Sequence, residues 1–238
     1  MLFYTVLFSL GKPEDNYYFY MMMLMYKSLV RTESIGPDDK FFVVADEATA
    51  AYGRTFRSLS SVLWVPVPAV RTLKDGMLLK YIFRPKVDET VLYLDCDFVA
   101  KGKVRFDLPP DTIAVLPEGK PTDSNYCGDF TLTSAYGASA GIFAFRYGVK
   151  VKAILDEIGL RVMKCEKGYY CLDQPHFNAV LQDYKVATIR PEIVSFNGHG
   201  DVRNALLINC AGIPGAGSFH FGKMMEFFML TGDSYTTR

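Results

Sequence analysis

Two carboxylates separated by one residue follow an apolar segment near the middle of the chain. Residues 91–94 have the pattern of a buried strand and lead directly into Asp95, Cys96 and Asp97. Side chains at the carboxyl end of such a strand lie where open α/β sheets bind ligands. Paired carboxylate oxygens suit Mg²⁺ or Mn²⁺, and either ion suits a diphosphate. The spacing therefore predicts a metal-assisted diphosphate site, with an ordinary strand-end turn as the alternative.

Alternating strands and helices precede and contain this pair. Continuous apolar runs predict buried strands over residues 3–9, 41–45, 62–65 and 91–94. Helical patterns lie between them over residues 17–30, 52–60 and 73–83. This order predicts an α/β fold with a Rossmann-like, mainly parallel twisted sheet and helices on both faces.

The second half of the chain is less regular. It predicts strands over residues 112–116, 140–146 and 186–189, and helices over residues 149–158 and 174–182. Residues 117–137 form a polar stretch long enough for a functional lid, and residues 210–222 read as a glycine-rich loop carrying His220. Because neither a repeat nor a linker interrupts the chain, we expect one domain over residues 1–238. Within it, residues 1–100 form the nucleotide-binding half and residues 101–238 the acceptor and sugar-binding half.

Composition narrows the classes of partner and compartment. Lys plus Arg and Asp plus Glu each number 26, so the chain lacks the basic character of a nucleic-acid binder. The five cysteines form no CxxC pair, which favours free thiols in a reducing compartment. Residues 1–10 lack a signal peptide's features, and the apolar run 17–26 is too short to cross a bilayer. We expect a cytoplasmic protein without a transmembrane segment, in which residues 224–230 pack onto the core; contact with a partner or peripherally with a membrane is the alternative.

Five short blocks, in this order, resemble those of GT-A glycosyltransferases, specifically the glycogenin-like family 8 enzymes. They span almost the whole chain: residues 5–29, Tyr-Leu-Asp-Cys-Asp at 93–97, Ser-Ala-Gly-Ile-Phe at 139–143, Asp173-Gln174 with Asn178, and Phe-His-Phe-Gly-Lys at 219–223. The last block is a contracted form of the family's closing motif, and the Pro-Trp that usually follows is absent. The resemblance implies a GT-A fold and transfer of a hexose or pentose from a UDP-sugar to a hydroxyl of a glycan or glycoprotein acceptor. It also implies Mn²⁺ or Mg²⁺ as cofactor, retained anomeric configuration, and an origin in a bacterium or in a large DNA virus that acts in its host's cytoplasm.

The same resemblance implies roles for individual residues. Asp95, Asp97 and His220 would hold the metal ion. Asp173 and Gln174 would lie beside the anomeric carbon as catalytic residues, with a helix N-cap as the alternative for Asp173. The nucleotide-sugar would contact Ser9, Leu10, Tyr17, Tyr18, Lys80, Asp95, Cys96, Ser139, Ala140, Gly141, Gly222 and Lys223.

The loop after the first strand is where we expect the base and ribose. Tyr17 or Tyr18 would stack on a uracil, and the register counted back from Ser28 favours Tyr18. Asp46, after the second strand, is a further nucleotide-binding candidate.

Two other functions remain open. Asp95-Cys96-Asp97 also fits the nucleophile loop of haloacid-dehalogenase-like phosphatases, in which Asp95 would be phosphorylated with Mg²⁺ bound. That class needs a second acidic pair downstream, which the sequence does not supply, and normally carries its motif near the N-terminus. A non-catalytic nucleotide-sugar-binding module is the third hypothesis. The sequence leaves the donor sugar, the acceptor and the oligomeric state open.

Overall fold

The computed structural model describes residues 1–117, 137–165, 173–196, 203–210 and 217–233. For residues 196, 217–220 and 230–233 it describes the backbone alone. The predicted polar stretch over residues 117–137 therefore lies almost entirely outside the described residues.

A seven-stranded sheet forms the centre of the molecule. Its strands are β1 Leu2–Leu7, β2 Lys40–Asp46, β3 Val62–Val67, β4 Thr90–Leu94, β6 Thr112–Pro117, β7 Ala138–Arg146 and β8 Ala187–Thr188, with β5 Phe98–Ala100 lying outside it. The strand order is β3-β2-β1-β4-β7-β6-β8. Strands β3, β2, β1 and β4 are parallel, and β7 runs antiparallel between β4 and β6. The mainly parallel sheet predicted from the apolar runs is confirmed.

Helices and a small second sheet cover the two faces. The helices are α1 Tyr17–Arg31, α2 Glu47–Arg54, α3 Leu73–Ile82, α4 Val149–Lys164, α5 Gln174–Leu181 and α6 Gly217–Asp233. Alternate residues of β1 face opposite sides, so Phe3 and Leu7 join one core with α1, and Tyr4 and Val6 join another with α4 and α5. The second sheet has the order β5-β10-β9, with β9 Val194–Phe196 and β10 Leu207–Asn209, and packs into the α1 core.

Two predicted elements were placed wrongly. The helix predicted over residues 52–60 begins earlier, because the Asp46 side chain accepts a hydrogen bond from the Thr49 amide and caps α2. The glycine-rich loop predicted over residues 210–222 gives way to α6 at Gly217. Burial of Met224 and packing of Phe221, Phe227 and Phe228 against the core stabilise that helix.

Within the apolar stretch over residues 224–230, Met224, Phe227 and Phe228 therefore pack against the body of the protein, while Met225 and Met229 are exposed. Arg31 strengthens this contact: its guanidinium lies 4.2 Å from the centre of the Phe228 ring and donates to the Phe228 carbonyl at 3.0 Å. Across the described ranges, no helix has both the length and the hydropathy needed to span a bilayer.

Candidate functional site

A cleft of about 540 Å³ opens at the carboxyl ends of β1 and β4. These two strands are parallel neighbours, so the loops that follow them meet at the same edge of the sheet. Seven of the residues predicted to bind nucleotide or metal line this cleft: Ser9, Leu10, Tyr18, Lys80, Asp95, Cys96 and Asp97.

The loop after β1 is held in place by two side chains. Asp46 accepts a hydrogen bond from the Ser9 amide at 3.0 Å while it caps α2. Asn16 donates to the Phe8 carbonyl and to the Ser9 hydroxyl, both at 2.9 Å, and caps α1 by accepting from the Tyr18 amide. The loop therefore presents its backbone to the cleft in a defined shape.

Tyr18 and Tyr17 differ in their surroundings, although both are partly exposed. Tyr18 lines the cleft, where its ring can meet a planar ligand. Tyr17 is not among the cleft-lining residues, and its ring lies 6.2 Å from the ring of Phe221 on α6. The structure thus brings Tyr18 to the cleft and leaves Tyr17 at the contact with α6.

Asp95 is fixed by groups from three elements. Its amide donates to the Gly141 carbonyl of β7 at 2.8 Å, and its Oδ1 atom accepts a hydrogen bond from the Tyr93 hydroxyl. Nζ of Lys80 lies 3.3 Å from the same Oδ1 atom. A Cβ atom at Gly141 would lie 3.0 Å from Oδ2, so the absence of a side chain there gives the carboxylate its space.

Asp97 lies between the cleft and the small sheet. Oδ1 accepts a hydrogen bond from Nδ2 of Asn209 at 3.1 Å, and the Asp97 carbonyl accepts from the Cys210 amide at 2.8 Å. Burial, followed by the nearby charge of Asp95, raises the pKa of Asp97 to about 7. Two neighbouring carboxylates attract a divalent cation, and their oxygens are the ligands that Mg²⁺ and Mn²⁺ prefer. The residues present therefore fit such an ion.

The side chain predicted as the third metal ligand, that of His220, falls outside what the structure describes. Among the described side chains, no group of three His, Cys, Asp or Glu residues is arranged to hold a metal ion. His220 lies in the first turn of α6, and its side chain is not among those described. Gly222 and Lys223 also lie on α6, and neither is among the residues that line the cleft.

Asp173 shares the Lys80 ammonium with Asp95. Nζ of Lys80 lies 2.7 Å from its Oδ2 atom, and the Tyr81 hydroxyl donates to that atom at 2.8 Å. Lys80, Tyr81 and Asp173 are all buried, with at most 5% of each residue exposed. Asp173 precedes α5, yet its side chain makes no capping hydrogen bond, so capping does not account for this residue.

The Gln174 and Asn178 side chains attach α5 to β7. Oε1 of Gln174 accepts a hydrogen bond from the Ala140 amide at 3.1 Å. The Asn178 side chain accepts a hydrogen bond from the Ala138 amide and donates one to the Ala138 carbonyl. The Ala140 carbonyl accepts a hydrogen bond from Nζ of Lys80 at 3.4 Å. The buried Ser139 hydroxyl accepts a hydrogen bond from the Gly141 amide at 3.3 Å. These contacts connect the 139–141 backbone to both Lys80 and α5.

Sequence reasoning missed four side chains that organise the site: Asn16, Tyr81, Tyr93 and Asn209. Asn16 was predicted to help start the helix, since asparagine is a preferred N-cap, but its contacts with Phe8 and Ser9 were not. Tyr81 and Tyr93 read as core aromatics within apolar segments, and Asn209 lies in a strand too short to be predicted.

Comparisons with known proteins show the fold. No protein-family model and no curated protein sequence matches the chain. Among solved structures, the chain is similar to the crystal structure of the apo-form glycosyltransferase GlyE of Streptococcus pneumoniae TIGR4, with a TM-score of 0.59 and 11% sequence identity. The alignment covers 99% of this chain but only 63% of that chain. The protein thus has a mixed α/β fold of the GT-A type that a glycosyltransferase also adopts.

Proposed function

We propose that this protein is a metal-dependent glycosyltransferase that moves a sugar from a UDP-sugar to an acceptor hydroxyl on a glycan or glycoprotein. The observation that carries the proposal is the position of Asp95 and Asp97 at the cleft formed by the loops after β1 and β4. The GT-A-type fold and the structural similarity to a glycosyltransferase support transfer chemistry at this cleft.

The cleft has the parts that a nucleoside diphosphate requires. The fixed loop after β1 offers the Ser9 and Leu10 backbone, and the partly exposed ring of Tyr18 in the cleft would stack on a uracil. A cleft of about 540 Å³ lies within the range of small-molecule sites. The nucleotide end of the donor accordingly belongs at the β1 loop, and its diphosphate at the β4 loop.

Charge explains what the β4 loop would do. The nucleoside diphosphate gains negative charge as the bond to the sugar breaks, and a bound Mn²⁺ or Mg²⁺ supplies the Lewis acid that stabilises this charge. Asp95 and Asp97 would hold the ion, and Lys80 adds a fixed positive charge beside Asp95. His220 is the proposed third ligand: β10 ends beside Asp97, and α6, which carries this residue, is the next described element of the chain.

The sugar would lie next to Asp95, toward Asp173 and Gln174. Lys80 bridges the Asp95 and Asp173 carboxylates, and Gln174 contacts the 139–141 backbone next to Asp95. This contiguity supports Asp173 and Gln174 as the residues nearest the anomeric carbon. Membership of the glycogenin-like family and retention of anomeric configuration belong to the proposal on the strength of the sequence blocks. The division into nucleotide and acceptor halves and the cytoplasmic location rest on the sequence in the same way.

Release of UDP tests the proposal. The full chain is incubated with Mn²⁺ and a panel of UDP-sugars, and UDP is measured with and without candidate acceptor sugars. We expect Mn²⁺-dependent release that is abolished in Asp97→Ala and unchanged in the matched control Asp107→Ala, whose carboxylate is exposed. Phosphate release from p-nitrophenyl phosphate would instead support the phosphatase. UDP binding without turnover of any donor would support the non-catalytic module.

A further inference from the structure

Tyr81 is a fully buried phenol whose hydroxyl contacts a charged group. It follows Lys80 on α3, and the two side chains converge on a single atom, Oδ2 of Asp173. The two donors lie 2.8 and 2.7 Å from that oxygen. Hydrogen bonds to charged groups are stronger than those between neutral ones, and two of them fix the orientation of a carboxylate.

The Tyr81 ring is itself held by neighbouring aromatic side chains. Phe143 of β7 stacks on it at 6.1 Å with an interplanar angle of 8°, and Phe177 of α5 lies 6.3 Å away. Burial, followed by the charge of Asp173, raises the pKa of Tyr81 well above its ordinary value, so the hydroxyl stays protonated as a donor. The sheet and α5 thus hold the phenol in one orientation.

Asp173 takes its orientation from α3 and not from the helix that it precedes. An aspartate at this position usually accepts a hydrogen bond from the first turn of its own helix. Here no such bond forms, and the carboxylate turns toward Lys80 and Tyr81. Because the Asp173 carboxylate has no hydrogen bond to its own helix, its contacts with Lys80 and Tyr81 hold it and set its position relative to Asp95.

We propose that Tyr81 is a positioning residue for sugar transfer, which acts by holding the Asp173 carboxylate against Lys80. This inference rests on the proposed function. Tyr81 has no exposed surface and does not line the cleft, so it works through Asp173 and not by touching substrate. Because its hydroxyl reaches Asp173 and not Asp95, it governs the sugar end of the site and leaves the nucleotide end alone.

Tyr81→Phe tests this assignment, because it removes the hydroxyl and keeps the ring. We expect kcat for UDP-sugar turnover to fall about tenfold or more, since small displacements of a reacting group cost rates of this order. KM for the UDP-sugar and the Mn²⁺-assisted affinity for UDP should stay within about twofold of wild type, because nucleotide contacts are unchanged.

Tyr4→Phe is the matched control. Tyr4 is equally buried, and its hydroxyl donates at 2.8 Å to the Lys80 main-chain carbonyl, so the variant loses a hydrogen bond of the same length to a neutral acceptor. Its melting temperature should also fall, although less than that of Tyr81→Phe because the lost bond has a neutral acceptor, and its kcat should stay within about twofold of wild type.

The possible outcomes distinguish the role of Tyr81 from the proposed function. An active wild type with Tyr81→Phe at more than half its kcat overturns the role of Tyr81 and leaves the proposed function standing. Equal losses of kcat in Tyr81→Phe and Tyr4→Phe also overturn it, because they indicate a structural effect. A wild type that releases no UDP from any donor contradicts the proposed function, and the role of Tyr81 with it.

Discussion

Nζ of Lys80 lies 2.7 Å from Oδ2 of Asp173, and both side chains are almost completely withdrawn from solvent. The same ammonium lies 3.3 Å from Oδ1 of Asp95. The attraction of the two carboxylates outweighs the effect of burial, so the pKa of Lys80 is raised and its charge is retained. One buried cation therefore joins the loop after β4, which carries the proposed metal ligands, to the start of α5, where the proposed catalytic pair lies.

Removal of this cation should destabilise the fold. Lys80→Met leaves the buried Asp173 carboxylate without its ionic partner, and we expect the free energy of unfolding to fall by about 3–5 kcal/mol. Urea unfolding at neutral pH measures the loss. Lys152→Met, which removes an exposed partner of Asp156 on α4, should cost less than about 1 kcal/mol. Similar losses in both variants would show that the buried ion pairs do not stabilise the structure.

The absence of a side chain at Gly141 should allow the Asp95 carboxylate to keep its position. In Gly141→Ala the new methyl group would lie 3.0 Å from Oδ2 of Asp95, so the carboxylate must shift. We expect kcat to fall by about tenfold or more, with the fold retained. Gly159→Ala on α4 is the control: its Cβ meets only an ordinary contact at 3.7 Å, and alanine is favoured over glycine in a helix by about 1 kcal/mol. Full activity of Gly141→Ala would contradict this account of the Asp95 pocket.

The ion pair between Asp39 and Arg105, at the edge of the sheet opposite the cleft, should make the free energy of unfolding depend on pH. Burial opposes ionisation of Asp39, but hydrogen bonds from Arg105, from the Met1 amino group and from the Gly36 amide together prevail and lower its pKa well below the ordinary value. A carboxylate with a depressed folded-state pKa stabilises the protein above its unfolded pKa of about 4 and loses this contribution as pH falls further. The free energy of unfolding should therefore decline from pH 6 to pH 3, and less steeply in Asp39→Asn. Parallel pH profiles would contradict the assignment.

The fold and the cleft were largely predictable because their signals are local. Strand β4 is a continuous apolar run that ends at Asp95, and the parallel neighbours β1 and β2 show the same pattern. Once three parallel strands are recognised, the edge where their loops meet is determined. Ser9 and Asp97 follow two of these strands, the family resemblance implied Lys80, and all three line one cleft.

The start of α6 and the short strands β5 and β10 depend on contacts between distant residues. Glycines and a proline before Gly217 favour a loop, yet packing of Met224 against the core decides that α6 begins there. Strands β5 and β10 have three residues each and exist because Phe98 pairs with Asn209. A three-residue strand shows no periodicity, so its partner cannot be read from the sequence. The hydrogen bond from Asn209 to Asp97 was hidden for the same reason.

The contacts of Asp173 were hidden in a different way. Lysine in a helix usually indicates a solvent-exposed face, and aspartate before a helix usually indicates a cap. Here α3 turns Lys80 toward the sheet, and the paired charges compensate for the cost of their burial. Neither residue type reveals this alone, because the pairing depends on how α3 and α5 pack around β7.

Calorimetric titration of UDP, with and without Mn²⁺, tests the central claim most directly. If Asp95 and Asp97 hold a cation that binds the diphosphate, Mn²⁺ should tighten the Kd of UDP by about tenfold or more, equivalent to about 1.4 kcal/mol or more. The isosteric variant Asp97→Asn should lose this gain while its folded structure persists. A wild-type Kd that is the same with and without Mn²⁺ would contradict the account.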